Sequence, residues 1–303
     1  MTAQVIDGRK IAETLRTDVA RDISELASNG ITCRLATVSV GHDDGATRYE
    51  RRVAATAAHL GVAHCHVAID ADASPGDVVD AITALNDDPA ISAILVLRPL
   101  PDHIDEAEVF RSVSPLKDVE GVHPENLGLL ALGNPRFVSP TAASAFHVLD
   151  EWIDQSGVER ADFYHDSLIV VVGRSNNVGK PAMLLALQRQ AALESVDEWA
   201  SRNGQLGWHT RRADVLIVAA GCPELIHAEH VREGTIVLDV GVNAVRDAGG
   251  TRIVGDVDFA QVCSRARALT PVPGGIGPLT DLWLLRNTAA AARLNDDPAQ
   301  ILT

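Results

Sequence analysis

From residue 9 to residue 26 the apolar side chains Ile11, Leu15, Val19, Ile23 and Leu26 recur at the spacing of one helical face, and Gly30 follows as a stop. This predicts an amphipathic helix with a buried stripe. Residues 35–40 form an apolar, β-branched run that breaks at Gly41-His42-Asp43-Asp44-Gly45, a sequence of loop composition, so a strand delivers a loop before a helix over 47–60. The order repeats with a strand over 63–69, a helix over 75–85 and a strand over 91–97 that ends at Arg98-Pro99-Leu100-Pro101. After Ser139-Pro140-Thr141 a second series begins, with a helix over 142–153 and a continuous apolar strand over 167–172 that enters a glycine loop. Short apolar strands follow at 214–220, 235–240 and 266–270, and a last helix at about 279–294 is expected to pack back on the first domain. The polar stretch 194–207 carries no clear element. Strands alternating with helices imply an α/β protein whose parallel sheets are covered on both faces.

A chain of 303 residues has room for about two domains. With 41 acidic against 26 basic residues the net charge is −15, which repels phosphate backbones and anionic lipid, so nucleic acid and membrane surfaces are not expected as partners. Only Lys10, Lys117 and Lys180 supply a titratable amine. The cysteines Cys33, Cys65, Cys222 and Cys263 are far apart and form no C-x-x-C pair, so neither a metal site nor a disulfide framework is expected, and a cytoplasmic location follows. Residues 1–15 lack the apolar core of a signal peptide, and no apolar run reaches the roughly 18 residues of a membrane span.

Three segments carry candidate chemistry. In Val170-Val-Val-Gly173-Arg174-Ser175-Asn176-Asn177-Val178-Gly179-Lys180-Pro181 a glycine turn joins a buried strand to a helix, where backbone N–H groups can hold a pyrophosphate. It is neither G-x-G-x-x-G nor a P-loop, and a plain strand-to-helix turn fits it as well. The loop Pro271-Val-Pro273-Gly274-Gly275-Ile-Gly277-Pro278-Leu-Thr280 lets a ligand or another chain segment approach the backbone closely. Lys117-Asp118-Val-Glu120-Gly121-Val-His123-Pro124 offers two carboxylates, although a solvated turn is its plainer reading. His64-Cys65-His66 lies in a strand pattern, so the two histidines share a face; without further ligands they read as structural.

These motifs in this order resemble the 5,10-methylenetetrahydrofolate dehydrogenase/methenyltetrahydrofolate cyclohydrolase family. The resemblance runs nearly end to end: Ile6-Asp-Gly-Arg-Lys-Ile-Ala, Tyr49, Ile94-Leu-Val with Pro99-Leu-Pro101, Lys117 to Pro124, Gly173 to Pro181, Ala213-Asp214, Asp239-Val-Gly-Val-Asn243, Gly255-Asp256-Val, and Pro271 to Pro278 with Thr280. It implies an N-terminal αβ folate domain over 1–140, with the helix 279–303 packing back on it. A Rossmann-like NAD(P) domain over 141–278 completes the chain, with the folate cleft between the two and the whole assembled as a homodimer. Tyr49, Glu120, Pro271, Gly274, Gly275 and Thr280 would meet the tetrahydrofolate derivative. Gly173, Arg174, Ser175, Asn176, Gly179, Lys180, Pro181 and Val242 would meet NAD or NADP.

Departures from the family pattern fall in the catalytic cleft. Val53 stands where the family has a Lys four residues after its Tyr; Leu97 replaces a Gln, Arg98 a Leu, and Glu120 the pterin-binding Asp. Hydride loss from the methylene carbon needs alignment with the nicotinamide and no obligatory protein acid or base. Hydrolysis of the methenyl product adds water and breaks a C–N bond, which requires proton transfers. Val53 and Leu97 supply neither, so the expectation is a dehydrogenase with weak or absent cyclohydrolase activity. The alternatives are the ordinary bifunctional enzyme and a folate or nucleotide binder without catalysis. Three carboxylates in Ala192-Leu-Glu194-Ser195-Val-Asp197-Glu198, where a Rossmann-like sheet meets the adenosine ribose, favour NAD unless Arg174, Arg202 or Arg211 reaches a 2′-phosphate.

Overall fold

Two parallel sheets organise the chain, each in its own unit; a computed structural model describes residues 2–247 and 250–296. The first unit, Leu15–Pro140 with the chain from Asp281 onward, holds most of the helix α1 (Gly8–Ser28), then β2 (Arg34–Val40), α2 (Asp44–Leu60), β3 (Ala63–Ile69), α3 (Pro75–Asp87) and β4 (Ala93–Val96). Its sheet runs β3-β2-β4, all parallel. The short helices α4 (Glu106–Ser112) and α5 (Pro124–Ala131) follow. Helix starts agree with local chemistry: Asp43 accepts the Ala46 N–H at 2.7 Å to open α2, and a Ser74–Asp77 capping box with Pro75 opens α3. The core beneath this sheet includes Val38, Ile82, Ile94, Val109 and Phe110.

The second unit, Thr141–Thr280 with the residues up to Thr14, contains β1 (Gln4–Val5), α6 (Pro140–Ser156, from its second residue), α7 (Arg160–His165), β5 (Leu168–Val172), α8 (Gly179–Gln188), β6 (Ala192–Val196), α9 (Glu198–Arg202), α10 (Leu206–Thr210), β7 (Val215–Val218) and β8 (Ile236–Asp239). An antiparallel hairpin of β9 (Asn243–Asp247) and β10 (Gly250–Val254) follows, then α11 (Phe259–Val262) and β11 (Ala268–Leu269). The main sheet has the order β1-β11-β8-β7-β5-β6, with every pair parallel. Strand order therefore reverses at β5: the chain steps out to β6 and returns to β7 on the other side. The carboxyl end of such a strand is where doubly wound sheets hold ligands.

The resemblance puts residues 1–14 with the first unit; β1 pairs with β11, through Gln4 opposite Ala268 and Val5 opposite Leu269, and so carries the amino-terminal segment into the second. The last helix, α12 (Gly277–Asp296), enters the first unit from Asp281 on, where Asn287 Nδ2 donates to the carbonyls of Val119 and Val138, each at 2.8 Å. The part of the expected 279–303 helix beyond 296 lies outside the described residues. The stretch 194–207, unassigned from sequence, supplies the end of β6 and two single-turn helices. Among the described residues no helix is long and apolar enough to cross a membrane.

Candidate functional site

In the first unit the chemistry collects on α2, on the turn after β4 and on the loop 117–124. Tyr49 sits half-buried on α2, and the Arg52 guanidinium lies 5.1 Å from its ring centroid. Arg52 is held in a fork by Asp281, with Nε–Oδ2 at 2.7 Å and Nη2–Oδ1 at 3.2 Å. Burial, reinforced by the carboxylates of Asp281 and Glu120, raises the Tyr49 phenol well above its ordinary value, so it keeps its proton. Val53, on the same helix, is fully buried and Leu97 nearly so. A lysine placed at 53 would have to leave the core to reach solvent.

Arg98 and Glu120, two separate departures in the sequence, are one ion pair. Arg98 Nη1 donates to both Glu120 oxygens at 3.1 and 3.2 Å, its Nε donates to Glu106 Oε1 at 3.0 Å, and its guanidinium stacks 4.2 Å from the Phe110 centroid. Burial raises the Glu120 carboxyl while Arg98 pulls it back down.

The segment 117–124 is not the solvated turn of its plainer reading. Lys117 is buried and its Nζ donates to the carbonyls of Leu85, Asn86 and Asp88 at 3.0, 2.8 and 2.8 Å, closing the carboxyl end of α3. Asp118 is buried too, accepting the His123 N–H and Asn126 Nδ2 at 2.8 Å each. Those two residues build the turn and leave Glu120 to face Arg98.

In the second unit Gly173 ends β5 at φ 113°, and a Cβ there would lie 2.1 Å from the Ala219 carbonyl oxygen. Gly179 opens α8 against the Gly173 carbonyl, where an added Cβ would meet oxygen at 2.2 Å. Val178 caps α8 with no side-chain bond, and the N–H groups of Arg174, Ser175, Asn176 and Val178 donate to no protein group among the described residues. A row of uncommitted donors at a helix start, on the strand where the sheet order reverses, fits a pyrophosphate. Lys180 reaches only Asn176 Oδ1, at 2.6 Å, and Pro181 is buried in the first turn.

The acidic stretch after β5 divides in space. Glu194 turns to His209 and Arg212, Glu198 pairs with Arg202, and only Asp197 meets Arg174, whose Nη1 donates to Oδ2 at 2.6 Å. Arg174 also donates from Nε to Ser195 Oγ at 2.7 Å. Arg211 binds the Glu229 carbonyl instead.

Two buried carboxylates brace the loops next to this turn. Asp239 accepts the N–H groups of Gly241, Asp256 and Val257, each at 3.0 Å. Asp256 accepts those of Ala220, Gly221 and Cys222 at 2.6, 2.9 and 3.0 Å, plus Asn243 Nδ2 at 2.8 Å. The sequence signal for both was their place in the Asp239 and Gly255-Asp256 motifs, which carried no role. Burial, with Asp256 adding to it, pushes Asp239 up to about 7 against the pull of its three N–H donors. An unfolded Asp titrates near 3.9, so between about pH 4 and 7 the folded chain holds a proton that the unfolded chain has released. Stability should therefore fall as pH rises through that window and level off above it. Unfolding free energies across pH 4.5–8 should decline less steeply in Asp239→Asn than in the wild type; equal slopes would show that Asp239 does not titrate there.

The loop 271–280 belongs to the second unit, where the close approach is made by another chain segment. Gly8 N–H donates to the Gly274 carbonyl at 2.9 Å, and a Cβ on Gly8 would lie 1.7 Å from the Gly275 oxygen. Gly274 and Gly275 are buried, while Pro271 and Thr280 remain partly exposed; Val242 is 67% exposed. His64 Nε2 and His66 Nδ1 both meet Thr37 Oγ1, at 3.0 and 2.9 Å, as a shared strand face requires. No cluster of three metal-ligating side chains exists among the described residues. Arg52, Arg98, Glu106 and Asp281 escaped the sequence reading as site residues, although a positive charge gained at 98 together with a longer carboxylate at 120 was a signal that the two meet.

Residues 6–120 match the family model for the tetrahydrofolate dehydrogenase/cyclohydrolase catalytic domain, and residues 152–296 match the NAD(P)-binding domain of that name. A relative from Rubrobacter xylanophilus, "Bifunctional protein FolD 3", is 53% identical over 97% of this chain and 93% of its own. The bifunctional methylenetetrahydrofolate dehydrogenase/cyclohydrolase of Campylobacter jejuni superposes with a TM-score of 0.87 at 32% identity, covering 96% of this chain and 99% of that one. The Trypanosoma brucei dehydrogenase-cyclohydrolase, solved with NADP and an inhibitor, gives 0.88 at 31% identity over 98% and 99%.

Proposed function

We propose, from the premise that this chain belongs to the tetrahydrofolate dehydrogenase/cyclohydrolase family, that it carries out both reactions of that family and prefers NAD. The chain is an NAD(P)-dependent methylenetetrahydrofolate dehydrogenase. In this reading the first unit holds the folate, through Tyr49 and Glu120, and the second holds the dinucleotide, through the loop 173–181. The nicotinamide supplies the hydride acceptor; what this chain supplies is alignment.

Val53 and Leu97 alone argue for a dehydrogenase with weak or absent cyclohydrolase activity, but the names borne by close relatives and the arrangement around Tyr49 favour the bifunctional reading. The observation that carries it is a protonated phenol with the Arg52 guanidinium beside its ring and the Arg98–Glu120 pair within electrostatic reach. Water that adds to the methenyl carbon loses one proton to solvent. Tyr49 can donate a hydrogen bond to the resulting oxygen while that oxygen's remaining proton passes to the pterin nitrogen and the C–N bond breaks, and Arg52 and Arg98 supply the positive charge that the family places on its lysine. Separate assays of methylene oxidation and methenyl hydrolysis on purified protein test this: hydrolysis no faster than in buffer would return the single-activity reading.

Cofactor preference rests on Asp197. It stands beside the 2′ position expected at the end of β6 and repels a phosphate there, while its pairing holds Arg174. We expect kcat/KM for NAD to exceed that for NADP at least tenfold. Asp197→Ala should shift the ratio toward NADP by about tenfold or more, because it removes the repulsion and releases Arg174, a change of about 1.4 kcal/mol. A variant with an unchanged ratio would deny Asp197 that role.

A homodimer, general in this family, belongs to the same reading, and the sheet edge at β6 with Trp199 and Trp208 exposed on the helices after it offers surface for one. Four free cysteines support a reducing, cytoplasmic setting.

A further inference from the structure

Arg98 commits its donors unevenly. Nε is spent on Glu106 and Nη1 on both oxygens of Glu120, while Nη2 makes no hydrogen bond to the protein among the described residues. Stacking on Phe110 and the two carboxylates fix the plane of the guanidinium, so the direction of the remaining Nη2–H groups is set before any ligand arrives. Glu120 in turn receives hydrogen bonds from Arg98 alone among the described residues and keeps lone pairs for an incoming donor. A fixed donor thus stands beside a fixed acceptor in a half-buried site. Neither residue type at these positions is expected from the family pattern, in which a leucine and an aspartate stand here.

That pair has a chemical complement. A ring edge in which N–H adjoins C=O offers a donor and an acceptor side by side, and the pyrimidine ring of a reduced pterin carries such an edge at N3–H and the 4-oxo group. We propose that Arg98 is a specificity-determining residue that reads the 4-oxo group of the pterin through Nη2 while Glu120 accepts from N3–H. The proposal rests on the folate reading of this unit and adds a residue to it. A 4-amino pterin reverses the edge: its amino group turns donors toward the Arg98 donors, and its N3 offers no hydrogen to Glu120. Two buried polar groups would then face mismatched partners, which is the situation in which sites discriminate most strongly. The guanidinium also explains how the longer Glu120 is tolerated. By pulling the carboxylate toward the turn after β4, Arg98 takes up the extra methylene that separates Glu from Asp.

The test is equilibrium binding by calorimetry of tetrahydrofolate and of its 4-amino-4-deoxy analogue, a readout that needs no turnover. Wild-type protein should bind the 4-oxo compound at least tenfold more tightly. In Arg98→Leu, the residue of the family pattern, that preference should fall by about tenfold, mainly through weaker 4-oxo binding, and Arg98→Lys should restore part of it. An Arg98→Leu protein that still binds both compounds with the wild-type ratio overturns the proposal. If Arg98→Leu fails to fold because Glu120 loses its partner, the other two proteins decide: wild type without 4-oxo preference, or Arg98→Lys with the full wild-type ratio, overturns it. A wild-type protein that binds neither compound overturns the folate reading, and this proposal falls with it; binding of both compounds with no preference overturns this proposal alone.

Discussion

Gly179→Ala is expected to weaken NAD and NADP binding at least a hundredfold while leaving tetrahydrofolate affinity within about twofold. The added Cβ would lie 2.2 Å from the Gly173 carbonyl oxygen, 2.6 Å from its carbon and 2.9 Å from the Arg174 Cα. All three are backbone atoms, so no rotamer relieves the overlap, and the turn itself must open. Opening it would move the N–H groups of Arg174, Ser175, Asn176 and Val178 away from the pyrophosphate position that the proposed function assigns to this turn. A hundredfold loss corresponds to about 2.7 kcal/mol, within the cost of overpacking a closed site plus the loss of one or two charge-assisted hydrogen bonds. Titrations of both ligands, with thermal unfolding as a control for the fold, give the answer. Parallel loss of the two affinities would mean that the glycine serves the fold as a whole.

Tyr49→Phe should lower methenyl hydrolysis at least a hundredfold and change methylene oxidation by no more than about fivefold. The phenyl ring preserves the packing under Arg52 and removes only the hydroxyl. Since burial and the carboxylates of Asp281 and Glu120 keep that hydroxyl protonated, its service is donation, and proton-transfer groups typically contribute 10²–10⁴ to a rate. Oxidation has no step that needs it. Equal loss of both rates would make Tyr49 a residue that positions folate, and an unchanged hydrolysis rate would show that its hydroxyl takes no part in hydrolysis.

Periodicity located the strands closely because buried parallel strands are short apolar runs, and β3 was read with its true limits. The two long helices at the ends extend one or two residues past the limits read from their apolar stripes at each end. What escaped the sequence was partnership across distance. Arg98 and Glu120 are 22 residues apart and Arg52 and Asp281 are 229 apart, so the pairs that define the charge of the site have no local pattern. The acidic run 194–198 shows the opposite failure: three carboxylates close in sequence diverge to separate partners, as alternation along a strand followed by a helix cap requires. Lys117 and Asp118 were misread for a related reason, because a charged turn looks solvated until the carbonyls and amides it satisfies are seen.

The crossing of the chain between its units at 14, 140 and 280 has a consequence for how the protein is made. The first unit lacks Asp281, the partner of Arg52, and Asn287, which ties the carbonyls of Val119 and Val138, until translation has passed residue 287. The sheet of the second unit likewise keeps β1 waiting at its edge until β11 is synthesised. The second unit is complete once residue 280 is made, whereas the first is finished last, and a translation arrest before the last helix leaves it without Asp281 and Asn287. A split or permuted version must therefore return Asp281 and Asn287 to the first unit and β1 to the edge of β11 before either unit is finished.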